Sequence, residues 1–154
     1  MRRRALLAAL SFPVLAPAAR AQAAPAVEVW RDPNCGCCGA WVERMNAAGF
    51  RSSVRVVQAV GPYRQMLGIP TDLMSCHVAR VGGYGLEGHV PPAAVQRLLA
   101  ERPAGVRGLA VPAMPVGSPG MEVDGREPDT YDVIAFSTDG THRPWMRFRG
   151  AQPV

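Results

Sequence analysis

The chain has 154 residues, with 17 arginines, no lysine and 12 acidic residues, which gives a formal net charge of +5. Arg2, Arg3, Arg4 and Arg20 lie in the N-terminal segment, so 13 basic groups against 12 acidic groups remain in the rest of the chain. This near balance gives no basic footprint for nucleic acid, and no RNA- or DNA-binding motif occurs, so we expect no nucleic-acid partner. The roughly 130 residues that follow are enough for one domain with one hydrophobic core.

The N-terminal segment has the features of a cleavable signal peptide over residues 1–23. Three arginines precede a short apolar run, Ala5–Leu15, and small residues surround a cleavage site after Ala21 or Ala23. The apolar run is too short to span a bilayer, and no later stretch is long enough. We therefore expect an exported, periplasmic bacterial protein whose mature domain covers 24–154 and does not stay inserted in the membrane. The Arg-Arg pair also resembles a twin-arginine motif, so Sec and Tat export both stay open.

From Val27 onward, strand-like and helix-like patterns alternate. A helix is predicted after Cys35 because apolar residues recur there at i, i+3, i+4 and i+7, and Gly82-Gly83 predicts a tight hairpin turn. The β-α-β-α-β-β-α order, with a cysteine motif between the first strand and the first helix, is that of a single thioredoxin-like α/β domain. The predicted elements are strands at Val27–Trp30 and Ser53–Val57, a hairpin of His77–Val81 and Tyr84–His89, and helices at Cys38–Met45, Pro62–Leu67 and Pro92–Leu99.

The region from Pro103 to Thr130 predicts a long loop, because it contains five prolines and five glycines among its 28 residues. Its apolar residues, Leu109, Val111, Met114, Val116 and Met121, favour burial over disorder. A C-terminal β-hairpin follows, with strands at Tyr131–Phe136 and Pro144–Phe148 around an Asp139-Gly140 turn. The proline in its second strand predicts a position at the edge of a sheet.

Three of the four cysteines occur together as Cys35-Gly-Cys37-Cys38, and the fourth is Cys76. Cys35 and Cys38 form a C-x-x-C pair at the start of the predicted first helix, where free N–H groups and the positive end of the helix dipole favour a thiolate. A thiolate in this position suits metal ligation and disulfide exchange equally, so both stay open. A structural disulfide between Cys35 and Cys38 is the alternative, although it leaves Cys37 without a role.

Methionines and histidines are further candidate ligands. Met114 and Met121 lie in the long loop, and their thioethers are soft ligands suited to Cu(I). Filling of the core by adaptable methionine side chains is the alternative. His77 follows the fourth cysteine and His89 ends a predicted strand, so both are candidate ligands, with structural hydrogen bonding as the alternative. His142 has no candidate ligand near it in sequence, and we expect it on the surface.

Five motifs in order resemble the CopG-like family of periplasmic metal-binding proteins, formerly described as a domain of unknown function (411). The resemblance covers about Val27 to Phe148. It implies a thioredoxin-like fold, an association with copper-resistance systems, and copper bound by Cys35, Cys37, Cys38 and Cys76, with Met114 and Met121 as further matching positions. The motifs are Cys35-Gly-Cys-Cys38 with Trp41, Ser75-Cys76-His77, Gly83-Tyr-Gly-Leu-Glu-Gly-His89-Val-Pro91, Gly108-Leu-Ala-Val-Pro-Ala-Met114-Pro115 and Gly117-Ser-Pro-Gly-Met121-Glu122.

The hypothesis that follows is a periplasmic protein of copper homeostasis or resistance that binds one or more Cu(I) ions through the cysteine cluster, with redox cycling as an additional property. Few charged ligands other than cysteine gather near the cluster, which suits Cu(I) better than Zn(II). One alternative is an enzyme, either a thiol–disulfide oxidoreductase that uses Cys35 and Cys38 or a copper-dependent redox protein that interconverts Cu(I) and Cu(II). Another is a structural domain whose cysteines form bridges. The expected partners are copper ions and other periplasmic copper-handling proteins.

Overall fold

The computed structural model describes residues 23–154, so the predicted signal peptide lies outside the described residues except for Ala23. The described chain forms one mixed α/β unit with a single sheet in the order β2-β1-β3-β4-β5-β6-β7-β8. None of its helices has the length and apolar character needed to cross a membrane. The strands are β1 (Ala26–Arg31), β2 (Arg51–Val56), β3 (His77–Val81), β4 (Tyr84–Glu87), β5 (Val106–Ala110), β6 (Thr130–Ser137), β7 (His142–Arg149) and β8 (Gln152–Pro153), and the helices are α1 (Gly36–Ala47), α2 (Gly61–Leu67) and α3 (Pro92–Glu101).

The order of the first seven elements agrees with the prediction from sequence. β1 pairs in parallel with β2 and antiparallel with β3, and β3 pairs antiparallel with β4. Gly49 and Gly68 follow α1 and α2 with φ angles of 91° and 68°, a conformation that glycine adopts without strain. Pro62 lies in the first turn of α2, where its missing N–H costs no helical hydrogen bond.

Helices cover both faces of the sheet. α1 and α3 pack on one face, where Trp41, Met45 and Leu98 join strand residues such as Val29 in one buried cluster. α2 packs on the other face through Leu67, which belongs to a second buried cluster. Burying a large apolar side chain contributes about 1.5–3 kcal/mol. Trp41 and Met45 therefore hold α1, and the cysteines at its start, firmly against the sheet.

The predicted loop over 103–130 is wrong in its first part, because Val106–Ala110 forms β5. This strand pairs in parallel with β4 and antiparallel with β6, and α3 is the crossover between the two parallel strands. Gly108 weakens the strand pattern in the sequence. It is required there because a Cβ at this position would collide with the carbonyl oxygen of Gly85 on β4. The irregular segment is therefore shorter, residues 111–129.

Two smaller expectations also need correction. Met114 is 49% exposed and does not belong to the core. β7 is not an edge strand over its whole length, because β8 pairs with its last two residues. Pro144 lies in the part of β7 where β6 is the sole neighbour among the described strands, so its missing N–H leaves no ladder partner unsatisfied there.

Candidate metal centre

The two cysteine segments meet because β1 and β3 are antiparallel neighbours. Arg31, the last residue of β1, pairs with His77, the first residue of β3. Cys35 is the N-cap residue of α1, shortly after β1, and Cys76 directly precedes β3. The Arg31 guanidinium donates a hydrogen bond of 2.8 Å to the Cys35 carbonyl oxygen, which fixes the chain just before the helix. The start of α1 and Cys76 therefore lie at the same end of the sheet.

The four cysteine sulfurs form one cluster in which all lie within 4.8 Å of one another. Cys35 and Cys38 are joined by a disulfide, whereas Cys37 and Cys76 are free thiols. The Sγ of Cys37 is 3.8 Å from the Sγ of Cys35, and the Sγ of Cys76 is 4.0 Å from the Sγ of Cys38. Each disulfide sulfur thus has a free thiol beside it, and Cys37 belongs to the cluster.

Two histidines extend the cluster from Cys76. The Cys76 Sγ lies 3.1 Å from Nδ1 of His77 and 3.1 Å from Nε2 of His89. Both imidazoles are buried, and the His77 ring packs against the indole of Trp41 with a centroid distance of 4.6 Å. The Nε2 of His77 is buried with no hydrogen-bond partner in the described part of the chain. Cys76 therefore belongs to two donor sets. One consists of the four cysteine sulfurs, and the other consists of Cys76, His77 and His89.

The irregular segment, residues 111–129, fixes the orientation of the His89 imidazole. Its Nδ1 lies 2.8 Å from the carbonyl oxygen of Pro119, which can only accept, so Nδ1 carries the proton and donates it. Nε2 is then left with a lone pair that faces Cys76, which is the form that ligates metals. Burial lowers the pKa of His89, and burial together with the neighbouring His89 lowers the pKa of His77 to about 3. Both imidazoles are therefore neutral at neutral pH.

The Cys76 thiol is protonated in this environment. Burial, with a smaller contribution from the neighbouring Cys37, raises its pKa to about 12. Arg31 and Arg64 lie close enough to oppose protonation of His77 as well, so the imidazole beside this thiol stays neutral. A metal ion that ligates Cys76 must displace this proton, which couples binding to pH.

The segment 111–129 packs against the cluster through its backbone. Ser75 directly precedes Cys76, and its hydroxyl donates a hydrogen bond to the carbonyl oxygen of Ala113 in this segment. Gly120 lies directly on α1, because a Cβ at this position would be 2.5 Å from the amide nitrogen of Trp41. Together with the hydrogen bond that the His89 imidazole donates to the Pro119 carbonyl oxygen, these contacts anchor the segment beside the centre.

Both predicted methionine ligands lie in this anchored segment. The Met114 side chain is half-exposed and follows Ala113, whereas Met121 is partly buried and closes a turn in which its amide donates to the Ser118 carbonyl oxygen at 2.7 Å. The structure therefore brings the backbone of the segment to the centre. Ligation by either thioether stays a prediction. His142 lies on the surface as expected and contacts Asp72 at 2.9 Å.

A buried ion pair beside the centre could not be predicted from the sequence. Glu87 is completely buried, and its carboxylate contacts the guanidinium of Arg64 at 2.8 Å. Both side chains also bind the backbone of Ser75. The one sequence signal for this ion pair is Glu87 itself, a charged residue in a strand that is otherwise expected to be buried. Its partner lies 23 residues away on α2, where no pattern points to it.

Comparison with known proteins identifies the family. The family model described as "Protein of unknown function, DUF411" matches residues 73–121. Two solved structures, forms 1 and 2 of the copper resistance protein CopG, each share 38% sequence identity with this chain and have a TM-score of 0.75. Each alignment covers 81% of this chain and 98% of the CopG chain. The chain belongs to the CopG family. No curated protein sequence matches it.

Membership of the CopG family confirms the resemblance inferred from the five motifs. The segment matched by the family model starts before Cys76 and ends at Met121, so it contains the thiol shared by the two donor sets, both buried histidines and both loop methionines. The C-x-x-C cysteines lie outside that segment. The centre is therefore assembled from two parts of the chain that only the fold brings together.

Proposed function

We propose that this CopG-family protein binds Cu(I) in the periplasm, as part of copper homeostasis or resistance, through reduced Cys35, Cys37, Cys38 and Cys76. The observation that carries the proposal is the meeting of four sulfurs within 4.8 Å at the start of α1. The positive end of the helix dipole favours thiolates there, and thiolates are soft ligands that select Cu(I). The similarity to copper resistance proteins supports the same metal.

The two overlapping donor sets support the binding of more than one copper ion. Cys76 belongs to both sets, and a thiolate sulfur has enough lone pairs to bridge two ions. The neutral imidazoles of His77 and His89 supply nitrogen ligands that also suit copper. In this proposal Met114 and Met121 are additional thioether ligands, or cover the sulfurs from water.

Copper binding in this proposal depends on the redox state of Cys35 and Cys38. Their disulfide withdraws two of the four sulfurs, since a disulfide sulfur is a poor ligand. Reduction by an external dithiol breaks the S–S bond, adds two electrons and two protons, and oxidises the dithiol to its own disulfide. The two thiols then lose their protons when the metal binds. The reduced chain should therefore hold copper and the oxidised chain should release it.

The proposal also includes a thioredoxin-like unit and export. The strand order β2-β1-β3-β4, the helices on both faces, and a C-x-x-C pair at the start of α1 support a thioredoxin-like arrangement of the first seven elements. A signal peptide over residues 1–23, cleaved during export, would deliver this unit to the periplasm, where other copper-handling proteins are the expected partners.

An anaerobic Cu(I) titration against a chromogenic chelator tests the proposal. The fully reduced chain should withdraw copper from the chelator, and a Cys38→Ser/Cys76→Ser variant should bind fewer ions with lower affinity. Zn(II) in excess should compete poorly, because Cu(I) prefers softer and fewer ligands. A double variant with unchanged stoichiometry would overturn the assignment of the cluster.

A thiol–disulfide oxidoreductase is the second candidate function, and the disulfide with free thiols beside it favours this candidate. Cys76 lies 4.0 Å from the Cys38 sulfur, close to the position of an attacking thiol. The Cys76 proton must first be lost, however, and its raised pKa slows such an attack. Reduction of insulin by the metal-free chain would support this candidate, whereas copper binding without dithiol turnover would exclude it.

A further inference from the structure

Arg64 and Glu87 bind each other and the chain immediately before Cys76. The Nε and Nη2 of Arg64 donate to the two carboxylate oxygens of Glu87 at 2.8 and 2.9 Å, in a bidentate pair. Arg64 Nη2 also donates to the Ser75 carbonyl oxygen at 2.6 Å, and the Ser75 amide donates to Glu87 Oε1 at 2.6 Å. Both backbone polar groups of Ser75 are thus held by charged side chains.

The close approach of Ser75 to this pair depends on Gly88. A Cβ at Gly88 would lie 2.5 Å from the Ser75 hydroxyl oxygen and 2.7 Å from the Val111 carbonyl oxygen, and the φ angle of 70° also favours glycine. Each residue of the Glu87-Gly88-His89 motif therefore has a contact at the centre. The glutamate holds Ser75, the glycine leaves room for it, and the histidine reaches the Cys76 sulfur.

We propose that Arg64 and Glu87 are positioning residues that hold the backbone of Ser75 so that the Cys76 sulfur faces both donor sets. The inference rests on the proposed copper binding, and it adds a cause for the position of the shared thiol. Cys76 itself lies between elements, after the 3₁₀ turn at Thr71–Leu73 and before β3. Without the charged pair, the peptide before Cys76 has no other hydrogen bonds from side chains in the described chain that would fix its amide and carbonyl.

A structural role in stability can be separated from a positioning role. Removing one member of a buried ion pair leaves an unpaired charge and destabilises a protein, whereas replacing both members by apolar residues of similar size is often neutral or stabilising. Arg64→Met/Glu87→Leu should therefore fold as well as the parent chain while losing the two hydrogen bonds within the pair and the two to the Ser75 backbone. Any loss of copper affinity in this variant then reflects position rather than folding.

The experiment measures Cu(I) affinity of the reduced, full chain anaerobically, in competition with a chromogenic chelator, beside the melting temperature of the metal-free chain. Arg64→Met/Glu87→Leu should bind Cu(I) about 10–100-fold more weakly, the usual effect of removing groups that orient a ligand. Arg147→Met/Asp132→Leu is the matched control. It removes an ion pair with the same bidentate geometry, 2.8 and 2.9 Å, that is exposed on β6 and β7, and it should leave the affinity unchanged.

The same pair of substitutions in a Cys76→Ser background shows whether the effect passes through Cys76. The positioning role predicts no further loss of affinity there, because interacting residues are non-additive. An equal loss in both backgrounds, or an affinity unchanged by the two substitutions when Cys76 is present, overturns the inference. A parent chain that does not bind Cu(I) overturns the proposed function and the inference with it, whereas a parent that binds beside an unaffected variant overturns the inference alone.

Two single variants keep the test decisive if the double variant does not fold. Glu87→Gln keeps the size of the side chain and one acceptor oxygen but loses the charge, and Arg64→Lys keeps the charge but loses the planar fork that reaches the Ser75 carbonyl oxygen. Both should weaken Cu(I) binding and reduce the thiolate-to-copper absorption in the ultraviolet. Folded single variants with the affinity and absorption of the parent chain would refute the positioning role.

Discussion

Gly120 is the point where the irregular segment touches α1, and substituting it tests how the centre is built. Gly120→Ala introduces two problems at once. The φ angle is 86°, a left-handed conformation that costs an L-residue about 1–2 kcal/mol. The new Cβ would also lie 2.5 Å from the Trp41 amide nitrogen and 3.0 Å from the Ala40 carbonyl carbon, which belong to the helix backbone and cannot rotate away.

The expected loss can be estimated from these two terms. Overpacking of a buried contact costs about 1–3 kcal/mol, so Gly120→Ala should lower the free energy of unfolding by about 2–5 kcal/mol in total. Gly125→Ala is the matched control, because Gly125 has a φ of 74° but no atom within 4 Å of its added Cβ. It should cost only the backbone term, about 1–2 kcal/mol. For a domain of this size the difference corresponds to a melting temperature lower by about 4–12 °C.

Thermal unfolding of both metal-free variants measures this difference directly. Gly120→Ala must also displace the neighbouring Pro119 carbonyl oxygen that orients His89, so it should weaken Cu(I) binding in the chelator competition, whereas Gly125→Ala should not. Equal melting temperatures for the two variants would refute the close packing of the segment on α1. A destabilised Gly120→Ala with the copper affinity of the parent would refute the role of Pro119 in orienting the imidazole.

Three further predictions concern single side chains at the centre. Because burial raises the pKa of the Cys76 thiol to about 12, copper must displace a proton at neutral pH, and the slope of log affinity against pH should fall by about one in Cys76→Ser; an unchanged slope would show that this thiol is not a ligand. His77 takes up a proton near pH 6.5 when unfolded but only near pH 3 when folded. The free energy of urea unfolding should therefore fall as pH falls below 6.5, by about 1.4 kcal/mol per pH unit, and His77→Phe should lessen that slope. Met114→Leu/Met121→Leu should leave the melting temperature of the metal-free chain nearly unchanged and weaken retention of Cu(I); copper retention equal to the parent would make both methionines packing residues.

The fold was predictable from sequence as far as local patterns reach. The helix that starts at the cysteine motif and the hairpin at Gly82-Gly83 follow from periodicity and turn chemistry, and both are present. β5 could not be recognised in the same way, because Gly105 directly precedes it and Gly108 interrupts its pattern. Glycine is required at position 108 by the neighbouring strand β4 and not by β5 itself, because Gly85 on β4 leaves no room for a Cβ.

The candidate ligands of the centre were predictable, but their arrangement was not. Residue type and spacing in the sequence identify the clustered cysteines and the adjacent His77 as candidate ligands. The contact between Cys38 and Cys76 joins residues 38 positions apart, and it arises from the antiparallel pairing of β1 and β3. The partner of His89 is a backbone carbonyl, that of Pro119, and a backbone group leaves no signal in a sequence. Physical contact across the fold, rather than residue type, determines these features.

X-ray absorption at the copper edge of the fully reduced chain, loaded anaerobically with Cu(I), tests the central proposal most directly. A copper centre built on the cysteine cluster predicts a Cu(I) edge, sulfur as the main scatterer, and an additional imidazole contribution. His89→Ala should remove part of the imidazole contribution, and Cys76→Ser should reduce both the sulfur and the imidazole signals because its sulfur belongs to both donor sets. A coordination shell of nitrogen and oxygen alone, unchanged by Cys76→Ser, would contradict copper binding at this centre.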